Sequence, residues 1–213
     1  MVDASKTSDM EQTRIVLGLL EYVGRGGVQS QRRLASELGV ALGLANAYLK
    51  RCVNKGLVKV RQAPARRYAY YLTPRGFAEK SRLTLEFMSY SFALFRRAKA
   101  DCMAALEAAR ERGYGRIVLI GASDLAEIAA ICALDGGFSI TAVVDANVAV
   151  ERFAGAPVVR SMDGLAPPPD AVLITDMHGA ATALEAAIAK FGAERVLVPA
   201  LLGVAPSNSR RGA

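Results

Sequence analysis

Cysteine and histidine are scarce in this 213-residue chain. Its three cysteines, Cys52, Cys102 and Cys132, lie far apart and form no CxxC pair. An odd, scattered set argues against a disulfide framework or a zinc site, so each reads as a small buried apolar residue. The one histidine is His178, and no GxSxG, HExxH or Walker A sequence occurs. No metal-ligand set and no catalytic residue emerges, and the chain is expected not to be an enzyme. A continuous apolar run of about 18 residues is also missing, which predicts no membrane span. The start, MVDASKTSDMEQT, is polar and has no apolar signal core, so a cytoplasmic location is expected. With 52% hydrophobic residues the chain has enough apolar side chains for a sizeable core.

Positive charge is present and unevenly placed. Residues 1–112 hold 20 Lys and Arg against 10 Asp and Glu, whereas residues 113–213 hold 7 against 10. Residues 25–82 are the densest block, with 13 basic and 2 acidic side chains. Such a block calls for an anionic partner, nucleic acid or a membrane surface. No helix here reads as having one basic and one fully apolar exposed face, so a membrane surface fits poorly.

The same block carries a recognisable order of elements. TRIVLGLLEYV (13–23) has the spacing of a helix with a broad buried face. Ser30 is a candidate N-cap for a short helix with Leu34, Ala35 and Leu38 inward. Gly39 supplies a tight turn, and a second helix runs from about Leu42 to Asn54. Helix, glycine turn and helix form the helix-turn-helix pattern. LVKV (57–60) and YAYYL (68–72) then read as two strands around the basic turn RQAPARR (61–67), a wing. Thr73 and Pro74 start another helix as cap and first-turn proline.

The run QRRLASELGVALGLANAYLKRCVNKGLVKV followed by YAYYLTPRGFAEKSRLTLEFM resembles winged-helix regulators of the MarR type, in particular the exopolysaccharide-associated group. The resemblance covers roughly residues 10–95. Leu72, Thr73, Pro74, Gly76, Lys80 and Leu83 match in the segment leaving the wing. Leu42, Gly43, Asn46, Leu49, Lys50, Lys55 and Gly56 match in the recognition helix. Leu44 and Ala47 depart from it, standing where a lysine and a larger side chain are expected. The expected partner is double-stranded DNA. The candidate contacts are Ser30, Arg32, Arg33, Leu42, Gly43, Asn46, Lys50, Arg51, Arg61, Arg66 and Arg67. Lys55 and Lys59 also fall within reach of flanking phosphates. Asn46 is the candidate for a base edge, adenine above all.

Beyond Pro74 no proline interrupts the chain to about Arg112, and Phe77, Leu83, Phe87, Met88, Phe92, Leu94 and Phe95 recur at rough helical spacing. One long helix or two stacked ones fit. Because operators are mostly two-fold symmetric, a homodimer through this region is expected. Strands at RIVLIG (116–121), ITAVVD (140–145), APVV (156–159), DAVLITD (170–176) and RVLVPAL (195–201) alternate with helical segments. That alternation predicts a small parallel α/β domain of Rossmann-like type. The expected fold class is therefore α/β, with a winged helix at 10–73, a helical linker at 74–112 and a Rossmann-like domain at 113–204.

Ligands of such sheets sit at the carboxyl ends of the strands. The candidate effector residues are Gly121, Ala122, Ser123, Asp124, Asp145, Asp176 and His178. A dinucleotide fingerprint would fall on Gly121, Ser123 and Ala126, of which only the first is glycine. Asp124 repels phosphate at the helix start, and Asp145, about 24 residues after Gly121, suits a ribose. VLIGASDLAEIA, TAVVDAN and FAGAPVV resemble the nucleotide-binding-like domain found ahead of nucleotide-sugar dehydratases and acyltransferases, through Gly121, Asp145, Gly155 and Pro157. In architecture the chain also resembles redox-sensing repressors that bind NADH. These resemblances imply a nucleotide, a nucleotide-sugar or NAD(H) as candidate ligand, and no cofactor is assigned. The leading reading is a dimeric DNA-binding regulator with an effector or dimerisation domain. An enzyme acting on a nucleotide or nucleotide-sugar, and a protein-interaction module, are the alternatives.

Overall fold

The computed structural model describes residues 4–26, 30–63 and 67–205. The chain divides into two units, Met1–Phe92 and Ala93–Ala213.

In the first unit, α1 (Ala4–Gly24) buries Ile15, Leu19, Leu20 and Val23 at three- and four-residue intervals. α2 (Gln31–Leu38) closes on Gly39, whose φ of 65° lies in the left-handed region that glycine adopts without strain. The N–H of Gly39 donates to Ser36 O and that of Val40 to Ala35 O, which satisfies the helix end. α3 (Leu42–Asn54) follows with Ala45, Leu49 and Cys52 buried. Ser30 holds the N-cap position of α2, but its side chain makes no capping hydrogen bond. Its carbonyl instead accepts from Tyr22 Oη and from the Leu34 N–H. β1 (Val58–Ala63) and β2 (Arg67–Leu72) pair antiparallel, with Val58 opposite Leu72 and Val60 opposite Tyr70.

Thr73 joins the hairpin to the next helix. Its hydroxyl accepts from the Gly76 N–H at 3.0 Å and donates to Gly56 O at 2.7 Å. A Cβ on Gly76 would lie 2.1 Å from Leu57 O, so only glycine fits this crossing. α4 (Pro74–Glu111) is one helix, not two. It gives Leu83 to the core of the first unit, and Ala98, Cys102, Leu106 and Ala109 to that of the second.

The second unit is built on a six-stranded sheet. Its elements are β3 (Arg116–Ile120), α5 (Asp124–Asp135), β4 (Ser139–Val144), β5 (Arg152–Phe153), β6 (Ala156–Val159), β7 (Ala171–Ile174), α6 (Ala180–Phe191) and β8 (Val196–Leu197). The strand order is β5-β6-β4-β3-β7-β8, parallel except for β5. β3 and β7 are buried on both faces, which explains their unbroken apolar runs. α5 and the later turns of α4 cover one face, and α6 covers the other.

Two details differ from the sequence reading. No helix crosses from β4 to β6, because residues 145–155 are fewer than the dozen or so such a crossover needs. The two-residue strand β5 turns back there instead. RVLVPAL is a strand only at Val196–Leu197. Pro199 has no N–H for a ladder, and a 3-10 turn follows at Ala200–Leu202. All three cysteines are buried, and burial pushes the Cys102 thiol up to about 12.

Asp170 fastens the start of the sheet. Its carboxylate accepts from Arg116 Nη2 at 3.0 Å and from the N–H groups of Arg116 and Gly115 at 2.8 and 3.0 Å. The Arg116 guanidinium first, and then these two amides, hold its pKa down to about 2. A folded-state pKa below the unfolded value adds stability that is complete above about pH 4 and is lost as pH falls towards 2. Asp170→Asn should therefore lower the unfolding midpoint at pH 6 and flatten its dependence between pH 4 and 2. An unchanged pH profile would remove this role.

Candidate nucleic-acid interface and ligand cleft

α3 is fixed by what it buries. With Ala45, Leu49 and Cys52 inward, the 3.6-residue repeat turns Gly43, Leu44, Ala47, Lys50 and Asn54 outward, and all five are exposed. Leu42 is 40% exposed at the rim of the first turn. Asn46 sits between the two faces, half-buried. Its Oδ1 is sequestered with no hydrogen-bond partner among the described residues. The acceptor oxygen of Asn46, the residue expected to meet a base edge, is thus turned into the domain. Asn54 was missed by the sequence reading, although it lies one helical repeat beyond Ala47 and Lys50.

The flanking cations fall into two sets. Arg32, Lys50, Lys59 and Arg61 are exposed and form no ion pair with any described residue. Arg33 pairs with Glu37 at 3.0 Å, and Glu37 also holds Arg25 at 2.8 Å. Arg51 and Lys55 likewise form no ion pair with any described residue, and they line a groove with Asp9, Glu79 and Glu86, of which the last two pair with Arg82. On the hairpin, the alternation that buries Val58 and Tyr70 places Lys59, Arg61 and Tyr71 on the other face. Tyr71 is a second residue missed by the sequence reading, though its register opposite Lys59 follows from strand alternation. Arg66 lies outside the described residues. Arg67 is placed in β2 opposite Ala63.

In the second unit, the turn after β3 spends its polar groups on itself. Ser123 Oγ donates to Thr175 O at 2.6 Å and accepts from the N–H groups of Leu125 and Ala126 at 3.2 and 3.4 Å. It is the N-cap of α5. Asp145 accepts from the Ala122 N–H at 2.9 Å through Oδ2 and from the Asn147 N–H at 2.8 Å through Oδ1. The amides that would cradle a pyrophosphate at Ala122, Leu125 and Ala126 are therefore already paired. Gly121 has φ 102°, and a Cβ there would meet Asp176 Cα at 2.5 Å. Close approach to the next loop accounts for this glycine without a ligand. Thr175, fully buried, locks the same crossing by donating to Ile120 O and Gly121 O.

An open cleft of about 520 Å³ lies on the α6 side of the strand ends. Gly121, Asp145 and Asp176 line it together with Arg160, Ser161 and Thr182. Ala122, Ser123, Asp124 and His178 do not line this cleft. Asp124 is exposed in the first turn of α5. His178 is exposed on the loop, where its N–H donates to Asp176 Oδ1 at 2.9 Å. Arg160, a second-unit residue that the sequence reading did not select, makes no ion pair with any described residue. No group of residues suited to a metal ion occurs among the described residues. None of the described helices is long and apolar enough to cross a membrane.

A family model described as winged helix-turn-helix DNA-binding matches residues 12–59. Among solved structures, a MarR family transcription regulator is matched at 24% identity with a TM-score of 0.36, over 43% of this chain and 66% of that one. The chain thus spans just under two thirds of that regulator's length. An O-methyltransferase from neocarzinostatin biosynthesis, in complex with S-adenosyl-L-homocysteine, is matched at 16% identity with a TM-score of 0.38. That match covers 92% of this chain and 83% of the other. Human N-acetylserotonin methyltransferase, in complex with SAM, is matched at 14% identity with a TM-score of 0.38, over 92% and 77%. No curated protein matches the chain. The matches to methyltransferases overturn the expectation that the chain is not an enzyme, although overlaps of this TM-score assign no role to any residue. The matched segment at residues 12–59 takes in the second half of α1, all of α2 and α3 and the start of the hairpin, and this part of the chain is similar to winged helix-turn-helix DNA-binding domains.

Proposed function

We propose that the chain is a transcriptional regulator of the MarR type that binds double-stranded DNA as a homodimer. In this reading a winged helix at 10–73 contacts DNA, the region 74–112 dimerises, and a Rossmann-like domain at 113–204 takes a small ligand. The observation that carries it is that Lys50 on α3, Lys59 and Arg61 on the hairpin and Arg32 on α2 are exposed and form no ion pair with any described residue. α3 is narrow enough for a major groove, and these cations suit flanking phosphates. In the sequence Arg66 and Arg67 close the basic turn RQAPARR. Dimerisation is supported by α4, which exposes Leu85, Phe87, Met88, Tyr90 and Phe92 in the first unit. A helix apolar on several sides is one that becomes covered.

Duplex binding should weaken steeply with salt, and Lys50→Ala, Lys59→Ala and Arg61→Ala should each reduce the slope of log K against log[salt] by about 1. Stoichiometry in the same titration should be two chains per duplex site. Salt-independent binding, or an unchanged slope in the triple variant, contradicts the interface; one chain per site contradicts the dimer.

The cleft supports a ribonucleoside-bearing ligand, with a nucleotide, a nucleotide-sugar or NAD(H) as candidates. Asp145 and Asp176 retain carboxylate lone pairs for ribose hydroxyls, and Arg160 offers a charge to phosphate. Since the methyltransferases above hold S-adenosyl ligands, these belong in the same panel. A bound member should raise the unfolding temperature, and Arg160→Ala should remove the effect for phosphorylated members only. No shift with NADH, NAD, nucleotide-sugars or S-adenosyl compounds excludes the class.

A further inference from the structure

The outward face of α3 is unusual for a helix that reads DNA. Over its first two turns it presents Gly43, Leu44 and Ala47, with Leu42 at the rim, and none of these side chains has a hydrogen-bond donor or acceptor. Leu44 is 44% exposed. Asn46, the amide within these two turns, has its Oδ1 turned inward. Gly43 adds an independent detail. A Cβ there would meet nothing within 4 Å, and its φ is not in the left-handed region. Neither packing nor backbone conformation requires a glycine at this second position of α3. Its absent side chain does leave the helix surface open to close approach.

Exposed cations lie on the same helix and on the elements packed with it. Lys50 follows one turn later on the same helix, Arg32 lies on α2, and Lys59 and Arg61 lie on the hairpin. An uncharged helix face in a unit that also exposes unpaired cations suits a duplex, with phosphates outside and base edges inside. In the major groove nearly every feature of a base pair is a hydrogen-bond donor or acceptor. The exception is the C5-methyl group of thymine, which is read by apolar contact.

We propose that α3 reads thymine, through van der Waals contact of Leu44 and Ala47, and of Leu42 at the rim, with thymine methyl groups. This rests on the DNA-binding reading above and adds the base it selects. Hydrogen-bonded readout contributes little on this helix, and register comes from phosphate contacts by Arg32, Lys50, Lys59 and Arg61. The predicted sites are thymine-rich where the first two turns of α3 enter the groove.

Deoxyuridine removes only the methyl group and leaves pairing intact, which makes it the direct probe. A duplex selected by the full chain from a random-sequence pool would be compared with the same duplex carrying deoxyuridine for thymidine. Loss of one contacted methyl should weaken binding about fourfold, the factor set by burial of one CH₂-sized group. The salt slope should stay unchanged. Leu44→Ala, at an exposed position that leaves the core intact, should reduce the difference between the two duplexes. Equal affinity for both duplexes with the salt slope retained overturns thymine reading while DNA binding stands. Failure to bind any duplex overturns both. Full discrimination by the Leu44→Ala protein, or unaltered DNA affinity in it, also overturns the proposal and marks the patch as a protein-contact surface.

Discussion

The first unit turns on how α3 is seated. Ala45, Leu49 and Cys52 have no freedom, because they fill the space between α1, α2 and the hairpin. That burial sets the rotation of the helix, and the rotation decides which side chains a partner meets. Thr73 fixes the far end of the same assembly by tying Gly56 to the first turn of α4. Packing and capping therefore place a charged, partly apolar surface that no ion pair among the described residues neutralises at Arg32, Lys50, Lys59 and Arg61. Surface ion pairs contribute little to this arrangement. Those around Glu37 are exposed, and such pairs are worth about 0–1 kcal/mol.

The second unit follows a different logic. Its strand-turn-helix has the outline of a nucleotide site, but its hydrogen bonds close the turn from within. Ser123 replaces the second glycine of a dinucleotide fingerprint, and its hydroxyl caps α5 instead of binding phosphate. Asp145 takes an amide of the same turn. What stays open is the space on the α6 side, bounded by two carboxylates and Arg160. The chemistry there favours a ligand with hydroxyl donors and an outlying anionic group over a pyrophosphate at the helix start.

Much of the fold was legible because it is written in short-range patterns. The positive φ of Gly39, the alternation from Val58 to Leu72 and the buried runs of β3 and β7 each leave a local trace in the sequence. Rotation of α3 was legible too, since Ala45 and Leu49 mark its inner face. The inward amide of Asn46 was not, because a side-chain orientation between two faces depends on its neighbours in space. Nor was the division between the turn and the cleft. Gly121 looked like a phosphate glycine, and only its approach to Asp176, distant in sequence, gives the other cause. Arg160 escaped notice for the same reason: it follows a short strand with no motif, and the sheet order alone brings it to the cleft.

The outer face of α3 and the hairpin is the proposed meeting surface for DNA. The most direct test is a titration of the full chain with duplex DNA, followed residue by residue through backbone amide NMR shifts. The account predicts the largest changes at Gly43, Leu44, Ala47, Lys50, Asn54, Lys59 and Arg61, with the amides of Asp145 and Asp176 unmoved. Changes centred on the second unit, with α3 undisturbed, would contradict it.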